Sequence, residues 1–72
     1  MSPEDRAIDL ITHWLTGQID DDRLRAELSP DDFSGDAAEA VRELLDELDS
    51  PAESPGRRQM VGRETVEVLA LG

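Results

Sequence analysis

Residues 7–24, Ala7-Ile8-Asp9-Leu10-Ile11-Thr12-His13-Trp14-Leu15-Thr16-Gly17-Gln18-Ile19-Asp20-Asp21-Asp22-Arg23-Leu24, read as two helices joined by a tight turn. Ala7, Ile8, Ile11, Trp14 and Leu15 recur at three- and four-residue steps, which is one apolar stripe on a helix. Gly17 can take the left-handed conformation that ends a helix. Asp20 can then accept from the free amides of a new first turn. Ile19 and Leu24 flank that cap at the spacing of a hydrophobic staple, and Asp21 and Asp22 suit the positive end of the helix dipole. The pattern predicts helix 1 over about Pro3 to Thr16 and a second helix ending before Ser29, together an antiparallel hairpin.

All four prolines follow a serine: Ser2-Pro3, Ser29-Pro30, Ser50-Pro51 and Ser54-Pro55. Proline fits the first helical position, where its missing N–H had no partner to lose, and serine is a strong N-cap. Asp5, Asp32 and Glu53 stand three residues after a serine, the capping-box spacing. Ser-Pro here is a helix-start signal; proline-directed phosphorylation is the alternative, and capping explains the acids as well.

Pro30 to Phe33 form one extra turn, broken at Ser34-Gly35. A third helix follows from about Ala37 to Asp49, capped by Asp36, with Ala37, Ala40, Val41, Leu44, Leu45 and Leu48 as its stripe. Residues 50–56 read as a Pro/Ser linker. The tail, 57–72, carries Arg57, Arg58 and Arg63 against Glu64 and Glu67. It is rich in apolar residues: Met60, Val61, Val66, Val68, Leu69 and Leu71. Thr65-Val66-Glu67-Val68 has strand character. Nothing else reads as a strand to pair with it, so a fourth helix docked on the hairpin, or on a second copy, is favoured. The expected architecture is all-α: one domain, a small three- or four-helix bundle built on an N-terminal hairpin. Its expected core is Ile8, Ile11, Trp14, Leu15, Leu24, Leu28, Val41, Leu44, Leu45 and Leu48, with Met60, Val61, Val68, Leu69 and Leu71 adding to it from the tail.

Charge limits what such a bundle can do. The 72 residues hold 18 acids against seven bases, every base an arginine, for a net charge of −11. That field repels nucleic-acid phosphates and anionic membranes and favours basic partners. There is no cysteine, hence no disulfide and no thiolate metal site. The N-terminus lacks the pattern of a signal peptide and no apolar run approaches the length of a membrane span, so a cytoplasmic location is expected.

Few residues invite chemistry. His13 has Asp9 four positions earlier, which predicts a surface pair rather than a triad, because no serine sits in a nucleophile elbow. Asp20-Asp21-Asp22 point in different directions at a helix start and read as capping, not as a metal cluster. Asp32, Ser34, Asp36 and Glu43 match positions 1, 3, 5 and 12 of a calcium-binding loop. Ala37 stands where such a loop needs glycine, and Glu39 where it has a buried aliphatic. Trp14 belongs on the stripe of helix 1, and Phe33 either caps the bundle end or anchors a partner. No catalytic residue, cofactor site or metal site is expected.

Two resemblances bear on function. Leu15-Thr16-Gly17-Gln18-Ile19, followed by Leu24 and Leu28, is similar to the helical hairpin of short bacterial oligomerisation modules of the SHOCT type. Size, acidity and helicity resemble an acyl or peptidyl carrier protein, a family that attaches a phosphopantetheine arm to serine in an Asp-Ser-Leu motif opening its second helix. Here the one Asp-Ser is Asp49-Ser50, followed by Pro51 and placed after the third helix, a departure that puts the arm in doubt.

The expected function is a non-catalytic interaction or regulatory module that presents an acidic helical surface to a basic protein, or mimics nucleic acid as an inhibitor. The runner-up is a carrier-like or accessory subunit of an enzyme complex. The residues expected to meet a partner are Phe33, Glu39, Glu43, Asp46, Glu47, Arg57 and Arg58. A homodimer is a further option, and neither nucleic acid nor membrane is an expected ligand.

Overall fold

The computed structural model describes residues 2–49 and 55–71. These form α1 (Pro3–Leu15), α2 (Asp21–Glu27), a single 3₁₀ turn (Pro30–Asp32), α3 (Gly35–Asp49) and α4 (Pro55–Leu71), with no strand among them. The four helices pack as a small bundle in which α4 lies against both α1 and α3.

The predicted caps at Ser2, Asp20 and Ser29 are formed. Ser2 Oγ accepts from the Asp5 amide at 3.2 Å, and Ser29 Oγ from the Asp31 amide at 3.3 Å. Asp20 Oδ1 accepts from the Arg23 amide at 2.8 Å. Helix α1 ends on Gly17 at φ +81°. The amides of Gly17 and Gln18 turn back to the carbonyls of Trp14 and His13 at 3.1 and 2.8 Å. This paired closure satisfies two carbonyls that the helix end would otherwise leave open. Ser50 and the Ser50-Pro51 signal lie outside the described residues.

Chain directions follow from side-chain contacts. Arg6 reaches Glu27 at 3.9 Å and Trp14 reaches Asp21, so α1 and α2 run in opposite directions, as a hairpin must. Arg57 meets Glu47, and Thr65 meets the Ala40 carbonyl, so α3 and α4 are also antiparallel. The shared core is Ala7, Ile11, Leu24, Leu28, Val41, Leu44, Leu48, Val61 and Leu69.

Four expectations need correction. Helix α3 starts at Gly35, two residues before Ala37, because Gly35 at φ +61° makes the turn into the helix; Asp36 therefore sits inside the first turn rather than before it. Helix α4 starts at Pro55, within the stretch read as linker, so proline again opens a helix. Trp14 is half-buried rather than buried, and Ile8, Leu15 and Leu45 likewise pack at the edge of the core. Met60 and Leu71, expected inside, are 54% and 89% exposed. Val61, Thr65 and Leu69 set the register of α4, and a helical period then turns residues 60 and 71 to the opposite side.

Candidate functional site

The inner face of α4 is built from unusual materials. Among the described side chains, Arg58, Val61, Gly62, Thr65, Val66, Val68 and Leu69 are its buried or half-buried positions. At Gly62 the indole of Trp14 lies so close that an added Cβ would stand 2.8 Å from ring atom Cζ3 and 3.2 Å from Leu15 Cδ2. Only glycine lets α1 and α4 approach to that distance. One turn earlier, the Arg58 guanidinium stacks over the same ring, 5.5 Å from its centroid, and pairs with Asp21. Trp14 Nε1 donates to the other Asp21 oxygen at 2.8 Å. Asp21 thus ties α1, α2 and α4 together through one carboxylate. Arg58 Nε is buried with no partner among the described residues. The cluster is a clamp between helices.

Thr65 is the buried polar residue of α4, at 1% exposure. Its hydroxyl lies 2.8 Å from the Val61 carbonyl in its own helix and 3.3 Å from the Ala40 carbonyl in α3. Bonding back to the preceding turn satisfies the hydroxyl without water, and the small side chains Ala40 and Thr65 let α3 and α4 come close.

The residues expected to meet a partner fall in three places. Glu39, Glu43 and Asp46 lie along the exposed side of α3, spaced one turn apart, with Arg42 exposed among them. Glu47 is turned partly inward and its Oε2 pairs with Arg57 Nε at 3.4 Å, joining the end of α3 to the start of α4. Arg58 belongs to the Trp14 clamp. Phe33 is half-buried at the far end of the bundle, where it lines a cavity of about 390 Å³ with Pro3, Ala7, Leu10 and Leu28. Arg6, Glu27 and Asp32 also line it.

The remaining candidates for chemistry stay apart. Asp9 and His13 are both exposed on α1, and no ion pair joins them, so the surface pair expected there is not formed. Asp20 caps α2 and Asp21 belongs to the clamp, so the acidic triplet is divided between two tasks. Helix α3 is continuous from Gly35, which places Asp36 and Glu43 on a helix rather than around a loop. Among the described residues no three His, Asp or Glu side chains gather as metal ligands, and no helix is long and apolar enough to cross a membrane.

Among the described residues, ion pairs engage five arginines. Arg6 and Arg23 both meet Glu27, Arg25 meets Asp49 at 2.9 Å, Arg57 meets Glu47 and Arg58 meets Asp21. The hydrogen bond from Arg23 Nε to Glu27, together with that carboxylate's charge, raises the Arg23 pKa above its ordinary value. The acids along the exposed side of α3 have no such partner among the described residues. No protein-family model, curated protein or solved structure matches the chain.

Proposed function

We infer that the chain is a non-catalytic interaction module that engages a basic segment of a protein partner through the acidic side of α3. The observation that carries this reading is the distribution of charge. Of seven arginines, five are held in ion pairs among the described residues, and none of these pairs involves Glu39, Glu43 or Asp46. Complementary charge of this kind raises association rates and selects partners more than it adds affinity. The cavity at Phe33, lined by both apolar and charged residues, supports the same reading, since a bulky side chain of a partner would remove Leu10 and Phe33 from water.

Calorimetric titration of the full chain with an arginine-rich amphipathic helical peptide tests it. Glu39→Gln, Glu43→Gln and Asp46→Asn together should weaken binding about tenfold. Asp9→Asn, Asp22→Asn and Asp31→Asn together change the net charge equally and should leave binding within about twofold. Equal losses from both sets would mean that the peptide reads only net charge, and the α3 surface would then be no site. Absence of binding at low salt would overturn the reading outright.

A further inference from the structure

The outer side of α4 differs from the rest of the surface. Gly56, Met60, Arg63, Glu67 and Ala70 recur at three- and four-residue steps, and all are exposed. Met60 and Leu71, the large hydrophobic side chains most open to solvent among the described residues, both lie on this side. Gln59, Met60, Arg63, Glu64 and Glu67 line one shallow trough along it, about 380 Å³ in volume. Of the three arginines of α4, Arg58 is turned to Trp14 and Arg57 pairs with Glu47, so Arg63 stands on the outer side with Glu64 and Glu67. For a chain at −11, two copies repel each other less here than on the exposed side of α3, where Asp36, Glu39, Glu43 and Asp46 face only Arg42.

The order of residues along that side is self-complementary. A two-fold axis midway between Arg63 and Glu67 would set Arg63 opposite Glu67 of a second copy, and Glu67 opposite its Arg63. A two-fold contact requires this reciprocity, because every contact must occur twice. Met60 and Ala70 lie at equal distances, about 7.5 Å, on either side of the same point. Met60 would therefore meet Ala70 and the neighbouring Leu71 of the second copy, and both hydrophobic ends would be covered. We propose that the protein forms a reversible dimer through an antiparallel contact between the outer sides of two α4 helices. One helix face per copy is a small interface, so the dimer belongs to the weak, concentration-dependent class. The contact leaves the acidic side of α3 free, so it stands or falls independently of the function inferred above.

Sedimentation equilibrium on the full chain over a wide concentration range tests the contact. A monomer–dimer equilibrium is expected, and it should tighten between about 20 mM and 150 mM salt. Salt screens the repulsion between two acidic bodies more than it screens charges held in contact. Arg63→Glu should raise the dissociation constant about tenfold. Arg42→Glu makes the same change in net charge on α3 and should alter it by less than about threefold. Arg63→Glu combined with Glu67→Arg restores both the net charge and the facing pairs, and should bring association back to within about threefold of the wild type. Circular dichroism of each variant checks that the helices are retained. A monomer at every concentration up to about 1 mM overturns the proposal. So does a dimer that the double exchange fails to restore, or one that Arg42→Glu disrupts as much as Arg63→Glu.

Discussion

Helices α3 and α4 lie antiparallel against each other and close the same core, yet they do it with different chemistry. The inner side of α3 is aliphatic, with Val41, Leu44 and Leu48 buried. The inner side of α4 mixes Val61, Val66 and Leu69 with Arg58, Gly62 and Thr65. Helix α3 is held by the area it removes from water, a force with little directional demand. Helix α4 is held by close approach at Gly62, one charged stack on Trp14, and a hydroxyl satisfied by carbonyls of its own helix and of α3. Two helices can therefore share a core while one tolerates substitution by size and the other by shape.

The largest expected effect is on the side held by area. Leu44 is 0% exposed. Leu44→Ala should cost about 2–5 kcal/mol, the transfer term plus the cavity left behind. A core in a chain this short supplies only about 3–5 kcal/mol, so the variant should be largely unfolded at room temperature. Urea denaturation followed by circular dichroism measures this; a variant retaining most of the wild-type midpoint would mean that α4 carries more of the stability than the packing implies.

The same contrast explains what could be read in advance. An apolar period detects helices that bury area, and α1, α2 and α3 are of that kind. Their caps were legible too, because serine, aspartate and Gly17 each meet a defined backbone need at a helix end. The inner side of α4 contains a glycine, a threonine and an arginine, none of which signals burial. Its true apolar stripe is short, and the more conspicuous Met60 and Leu71 point outward. Thr65-Val66-Glu67-Val68 has some strand character, and only the lack of a partner strand in the sequence points to a helix there. Trp14 is half-buried for a related reason: α4 meets its ring with a glycine and an arginine rather than with aliphatic side chains. Of the residues expected to meet a partner, Glu39, Glu43 and Asp46 were legible as a surface, since exposure follows from the helical period alone. The fixed positions of Arg58 and Glu47 were not, because each depends on a contact with another helix.

Arg58→Ala tests the second holding mode at its charged end. It removes the stack on Trp14 and leaves Asp21 without its cation. A cation over an indole contributes about 0.5–2 kcal/mol depending on desolvation. The Arg58 side chain is 28% exposed, so the middle of that range applies, and the ion pair adds a smaller share. We expect a loss of about 1–2 kcal/mol, with Trp14 emission shifted to longer wavelength as water reaches the ring. Arg58→Lys should recover only part of it, because an ammonium cannot lie flat on the ring while forking to a carboxylate. Full recovery by lysine would reduce the clamp to a simple charge contact.

Gly62→Ala gives the smallest effect and separates the two modes most cleanly, because its two consequences oppose each other. In a helix interior alanine is favoured over glycine by about 0.8–1 kcal/mol. Against this, the new methyl would sit 2.8 Å from Cζ3 of Trp14 and 3.2 Å from Leu15 Cδ2. Leu15 can rotate a terminal methyl aside. The indole is pinned by its hydrogen bond to Asp21 and by Arg58 above it, so relief has to come from moving α4 away from α1. Overpacking of this kind costs about 1–3 kcal/mol. The difference should therefore be a net loss of about 1 kcal/mol in urea denaturation. Combining it with Arg58→Ala then decides the cause. With the guanidinium gone the ring is free to tilt, the clash is relieved, and the two losses should fall short of adding. Strict additivity, or a gain in stability from Gly62→Ala alone, would mean that close approach at Gly62 is no part of what holds α4.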